Sequence, residues 1–138
     1  MDHKKQLEEA AKDTFWGYLG CSLLELSEQQ VSVSLQVKPH HHNLMGIVHG
    51  GVLSGLMDNT MGVYALQARE GKKVVTSHLN LHFLEQAVTE ELICITKLLH
   101  ETRKGLTIEA KVWTAEGKLC AFSTGTFRVL SEAGPGGK

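Results

Sequence analysis

One helical run in this chain is apolar over nearly its whole length and holds a single carboxylate. From Gly50 to Gln67 the only full charge is Asp58, with Leu56, Met57 and Met61 around it. An acid among apolar residues must be desolvated unless it finds a partner. The run starts at His49-Gly50-Gly51, and glycines at a helix start leave the first backbone amides bare. Both features sit close together, which marks the stretch from Asn43 to Asp58 as the place where chemistry is expected.

The rest of the chain reads mostly as strands. Residues 3 to 14 carry charge on most positions and predict a short surface helix. It leads into Phe15-Trp16-Gly17-Tyr18-Leu19-Gly20, whose aromatics are expected to anchor the segment to the core. Cys21 to Leu26 and Val31 to Val37 are strand-like, and the second alternates as Val-Ser-Val-Ser-Leu-Gln-Val, the pattern of a half-buried strand ended by Pro39. After the central helix, expected from Gly50 to Ala68 with a glycine stop near Gly71, come four more strands. These contain Leu79-Leu81-Phe83, Leu92 to Leu99, Leu106 to Val112, and Leu119 to Val129, the last two joined by a turn at Ala115-Glu116-Gly117. The order predicts an α+β fold with an antiparallel sheet and a helix against one face. Residues 132–138 are expected to be a disordered tail.

A chain of 138 residues, 42% hydrophobic and 21% charged, fits one ordinary domain spanning 1–138. With 14 Lys+Arg against 15 Asp+Glu the net charge is -1, so no basic footprint for nucleic acid is present. No secretory leader and no apolar run of membrane-spanning length is visible, so a cytoplasmic protein with no membrane partner is expected. Cys21, Cys94 and Cys120 are odd in number and lack a Cys-x-x-Cys pair, which predicts reduced, largely buried thiols.

At 100° per residue, Gly51, Gly55, Asp58, Gly62 and Ala65 fall on one stripe of the central helix. Interior glycines cost roughly 1 kcal/mol each relative to alanine, and close packing of helix on sheet accounts for the glycines alone. It does not account for Asp58, so a functional role is assigned to that carboxylate. The Gly50 amide, at the positive end of the helix dipole, has the geometry of an oxyanion donor. His49 either orients a substrate or shapes the turn. Gly50 and Asp58 lie eight residues apart, about 12 Å on one helix at ~1.5 Å per residue. One small carbonyl cannot touch both, so a catalytic reading requires a dimer with composite sites.

Asn43-x-x-Gly46-x-Val48-His49-Gly50-Gly51, with Asp58 nine residues after the histidine, resembles the hotdog-fold acyl-CoA thioesterases. The resemblance is to the branch typified by phenylacetate-pathway enzymes and related mammalian thioesterase superfamily members. It continues through Val75 to Leu84 and the closing Ala121 to Phe127, covering roughly residues 15 to 130. It implies a hotdog fold, a long central helix wrapped by a curved sheet of about six strands. It also implies hydrolysis of an acyl- or aryl-CoA thioester without metal or other cofactor. By that resemblance Asp58 is nucleophile or general base, the Gly50 N–H polarises the carbonyl, Asn43 helps hold thioester or water, and His49 supports the turn. Thr76 is the hydroxyl that contacts the attacking water, with Ser77 beside it. The glutamate branch of the family carries a Ser or Thr four residues further on, where this chain has Gly62, which favours the aspartate branch. CoA is expected near the subunit interface of a homodimer within a homotetramer, with the acyl group entering between helix and sheet.

Other constellations are demoted. The side chains of His40-His41-His42 diverge without a Cys or Glu ligand pattern, so a polar loop is preferred to a metal site. His78 and His82 share a facing on an alternating strand and read as a surface pair. Ser54 and the cysteines lack an evident base. Arg103 and Lys104 are carried as phosphate-binding candidates, and Gly51 and Ser77 as further substrate-binding candidates. Two alternatives remain: a non-catalytic acyl-CoA-binding domain, which has no need of Asp58, and a dehydratase, which needs a differently placed acid and histidine.

Overall fold

The computed structural model describes residues 3–70 and 72–130. Helix α1 (His3–Ala11) and the short α2 (Phe15–Leu19) precede strands β1 (Cys21–Leu26) and β2 (Val31–Gln36). A 3-10 turn (Pro39–His41) leads to α3 (Gly50–Ala68), followed by β3 (Val74–Phe83), β4 (Glu91–Glu101), β5 (Gly105–Thr114) and β6 (Leu119–Val129). The six strands form one sheet in the order β1-β2-β4-β5-β6-β3, every neighbouring pair antiparallel. Helix α3 packs against β2 through β6. This is the hotdog arrangement, with α3 as its filling.

The inner face explains why the helix can sit so close. Ala110, Ala121, Ser123 and Gly125 are buried small residues on β5 and β6. A Cβ on Gly125 would lie 2.9 Å from Met61 Cε and 3.0 Å from Phe127 Cε1. A side chain there would push against the Met61 and Phe127 side chains, so Gly125 marks a close approach. The interface between α3 and sheet is filled by Leu56, Met57, Met61 and Phe127, none more than 1% exposed.

Several boundaries differ from the sequence expectation. The surface helix stops at Ala11, and α2 is a separate turn capped by Thr14, whose hydroxyl accepts the Trp16 N–H at 3.3 Å. Of the aromatics beside it Trp16 is buried, whereas Phe15 and Tyr18 are exposed. Strand β2 is buried on both faces rather than half-buried, because Ser32 and Ser34 are short and paired with Ile95 and Ile93. The helix cap at Arg69 precedes Gly71, which lies outside the described residues, as does the expected tail. Arg69 donates from its guanidinium to the carbonyls of Thr102 (2.6 Å) and Arg103 (3.1 Å) and to Glu101 (3.0 Å). The β4–β5 hairpin is thereby fixed to the C-terminal end of α3. Among the described residues no helix is long and apolar enough to cross a membrane.

Candidate active site

The turn that launches α3 is built by its own side chains. Asn43 Oδ1 accepts the backbone N–H groups of Met45 (2.8 Å) and Ile47 (3.3 Å), folding the loop that contains Gly46 at φ 78°. His49 caps the helix, its Nδ1 accepting the Gly51 N–H at 2.7 Å. A Cβ on Gly51 would stand 3.0 Å from that nitrogen, so a side chain there would crowd the capping imidazole. The Gly51 amide is thus already taken. The Gly50 N–H has no acceptor among the described residues and is a donor of the turn left for a ligand. The ring of Phe83 lies 3.6 Å from where a Gly50 Cβ would be, forming an apolar wall over the amide.

Asp58 has its partner on β3. Thr76 Oγ1 donates to Asp58 Oδ1 at 2.8 Å. A bulge between Thr76 and His78 leaves Ser77 as the extra residue of the β3–β6 pair, and Ser77 Oγ donates to the Thr126 carbonyl at 3.1 Å. Bulges bend a strand and re-aim side chains beside sites. Here the bulge commits Ser77 to the sheet and leaves Thr76 on the carboxylate. The adjacent hydroxyls therefore divide their work: Thr76 meets Asp58, and Ser77 anchors the strand.

Within the stripe, Gly55 faces α2 rather than the sheet that the close-packing argument expected, whereas the nearest atom to a Gly62 Cβ is on Phe127 of β6. Gly55 lies under α2, where a Cβ would be 3.0 Å from Phe15 Cε2 and 3.3 Å from Leu19 Cδ2. Beyond it, Asp58, Asn59 and Gly62 border a solvent-open cavity of about 380 Å³ that residues of α1 and α2 line together with Thr76. Space beside the carboxylate lies between α3 and the N-terminal helices, since the helix–sheet interface is filled. The place of Asn59, Trp16 and the N-terminal helical segment beside Asp58 was not legible in the sequence, which predicted that helix and its aromatics only as a surface element anchored to the core. Arg103 and Lys104 sit at the Arg69 end of α3, about 28 Å along the helix from Gly50 at ~1.5 Å per residue. Within one chain they do not meet the turn.

Other nucleophiles are disqualified by their surroundings. Ser54 Oγ donates back to the Gly50 carbonyl at 2.8 Å. Burial pushes the Cys21 thiol up to about 11, opposed by its hydrogen bond from Asn59, and pushes Cys94 up to about 12. A protonated thiol is a poor nucleophile. His41 proves not to be part of a polar loop. It is 2% exposed, with Nδ1 accepting the Lys38 N–H (2.9 Å) and Nε2 donating to the Leu19 carbonyl (2.7 Å). His78 and His82 are exposed on β3, and His82 stacks on Phe122.

A helix start with an open amide, a carboxylate held by a hydroxyl, and the hotdog frame define a thioesterase-like centre. The sequence profile of the thioesterase superfamily matches residues 45–121, more than half of the chain, and the chain belongs to that family. The matched span includes His49, Gly50, Asp58 and Thr76. Among similar proteins is a candidate esterase of Saccharolobus solfataricus, 27% identical over 131 residues, covering 94% of either chain. The PaaI protein of E. coli, from the phenylacetic acid degradation operon, superposes with a TM-score of 0.82 at 20% identity over 94% of this chain and 95% of its own. A hypothetical thioesterase of Streptococcus pneumoniae solved with coenzyme A gives 0.79 at 20% identity over 89% and 95%. At these identities the structural likenesses speak to the fold.

Proposed function

We propose that this protein hydrolyses an acyl-CoA thioester to a free acid and CoA, at sites shared between two chains. The observation that carries the reading is the Asp58–Thr76 hydrogen bond of 2.8 Å beside an apolar cavity. A carboxylate there holds a water or attacks directly, and a binding domain has no use for it. Asp58 takes a proton from water, the hydroxyl oxygen bonds to the thioester carbonyl carbon, and the C–S bond breaks as the electron pair leaves with CoA sulfur. In the alternative route Asp58 forms an anhydride that water then opens. In both, the carbonyl oxygen gathers negative charge and is stabilised by the Gly50 N–H of the partner chain at its helix start. Thr76 orients the carboxylate or water, His49 and Asn43 hold the turn, and Gly51 contributes through that cap. CoA bound in the Streptococcus pneumoniae neighbour supports the substrate class. Arg103 and Lys104 are carried as phosphate contacts within the assembled oligomer, a homodimer or a homotetramer of such dimers.

The dimer finds support in edge strand β3, which presents an unpaired edge and exposes Val75 and Phe83. Such edges in natural proteins are usually covered or paired. A panel of acyl- and aryl-CoAs assayed for free-thiol release tests the reading. Release of CoA from at least one panel member, dependent on Asp58, is expected. Tight binding of acyl-CoA without any release would instead make this a binding domain.

A further inference from the structure

The cavity beside Asp58 has a chemistry of its own. At about 380 Å³ and ~30 Å³ per water-sized group, it holds about a dozen heavy atoms. Its walls are apolar: Leu7 and Ala11 from α1, Trp16 from α2, Val63 from α3. Trp16 and Val63 belong to the buried core, and Leu7 and Ala11 are partly buried against it. Gly62 leaves the floor open, because the nearest atom to a Cβ there, Phe127 Cε2, is 3.8 Å away. The polar lining residues are Thr14, Asp58, Asn59 and Thr76, and among the described residues the lining contains no Lys, Arg or His.

Helix α1 is the roof, and it is held in place by specific bonds. Glu8 accepts the Leu23 N–H at 2.7 Å, beside the irregularity in β1 between Leu23 and Glu25. Thr14 Oγ1 donates to the Ala11 carbonyl at 2.6 Å, closing the corner between α1 and α2.

We propose that this cavity receives the acyl tail, so that the substrate class is an uncharged acyl or aryl-acyl group of medium length, and that Ala11 limits how far the tail extends. The inference rests on the thioester-hydrolase reading. Apolar walls favour a hydrocarbon by removing it from water. Asp58 is the only charged residue that this chain contributes to the lining, with no cation beside it to pair a second carboxylate, which disfavours acyl groups that end in an acid. The cavity belongs to the chain that supplies Asp58, so base and tail come from one protomer while the oxyanion donor comes from the other.

The test compares Ala11→Phe, which fills the cavity, with Leu7→Ala, which enlarges it. Free-thiol release is measured on butanoyl-, octanoyl-, dodecanoyl- and succinyl-CoA. Ala11→Phe is expected to lower kcat/KM for octanoyl-CoA by about ten-fold or more relative to butanoyl-CoA, the scale of discrimination by apolar pockets. Leu7→Ala should move the optimum towards dodecanoyl-CoA, and succinyl-CoA should be the poorest substrate. Equal changes at all chain lengths in both variants, or a preference for succinyl-CoA, would overturn the assignment. A second readout needs no turnover: in a Trp113→Phe background, which leaves Trp16 as the only indole, octanamide should shift the tryptophan emission, and adding Ala11→Phe should abolish the shift. An octanamide response without hydrolysis of any acyl-CoA keeps the cavity and removes the enzymatic reading. Hydrolysis with no octanamide response and no chain-length effect does the reverse. Should Ala11→Phe fail to fold, Leu7→Ala carries the test alone.

Discussion

At the scale of single residues, Asp58 and Thr76 form the pair on which the proposed chemistry rests. The hydroxyl donates to the carboxylate, and Ser77, one position on, is spent on a sheet carbonyl. Asp58→Asn keeps the shape and the hydrogen-bonding capacity but removes the base. It is expected to fold and to lose at least about 100-fold in thioester hydrolysis, the lower end for a catalytic acid–base group. A folded Asp58→Asn protein with near-normal kcat/KM would take Asp58 out of the mechanism. Thr76→Ala leaves the carboxylate in place without its donor. Its loss should fall on kcat more than on KM, as for an interaction made mainly in the transition state. Steady-state kinetics showing a raised KM at unchanged kcat would make Thr76 a binding or structural residue.

At the scale of elements, the start of α3 is tied to the end of α2 through His41. Its ring bonds Lys38 and Leu19, and its carbonyl accepts the His49 N–H at 2.9 Å. Because Nδ1 is an acceptor, Nε2 carries the proton and the ring is neutral. Burial is the main cause that lowers the His41 pKa below its ordinary 6.5; the Leu19 bond opposes it, and His40, His42 and Lys38 add to it. The folded protein thus holds fewer protons than the unfolded chain just below pH 6.5. The stability from a neutral His41 is fully present above that pH and is lost as pH falls towards the folded value. His41→Leu strands the Leu19 carbonyl and the Lys38 N–H, so urea denaturation at pH 8 should show a loss of about 2 kcal/mol, within the range for unsatisfied buried groups. The gap from the unaltered protein should narrow between pH 6.5 and 5. A gap that stays constant or widens would show that His41 is not held neutral.

At the scale of the whole molecule, α3 is rigid and the two halves of the proposed site lie about 12 Å apart along it, at ~1.5 Å per residue. On the proposed mechanism, Asp58 of one chain therefore meets Gly50 of another. If Asn43→Ala and Asp58→Ala each fold and are each severely impaired, a mixed dimer contains one site with both lesions and one with neither. Co-refolding the two should restore up to about one quarter of full activity: half the dimers are mixed, and each has one of its two sites intact. Differently tagged chains establish that exchange has occurred. Verified mixed dimers without recovered activity would place the site within one chain.

The sequence by itself determined the elements whose signals are local. The helix Gly50–Ala68, strand β1 and strand β6 fall where periodicity and turn residues put them. The motif around His49 and the lone charge at Asp58 were legible for the same reason: a bare helix start and an acid among apolar neighbours are visible in one stretch of chain. The tertiary structure decided everything that depends on what lies across from a residue. It set Gly55 of the glycine stripe against α2, and gave Thr76 rather than Ser77 to Asp58 through a bulge that no alternation pattern records. From three adjacent histidines it made one, His41, a buried link between elements. Burial on both faces of β2, the separate turn of α2, and the roof that α1 makes over the cavity are of this kind too. Each arises from contacts between residues far apart in the chain, and such contacts leave no period in the sequence.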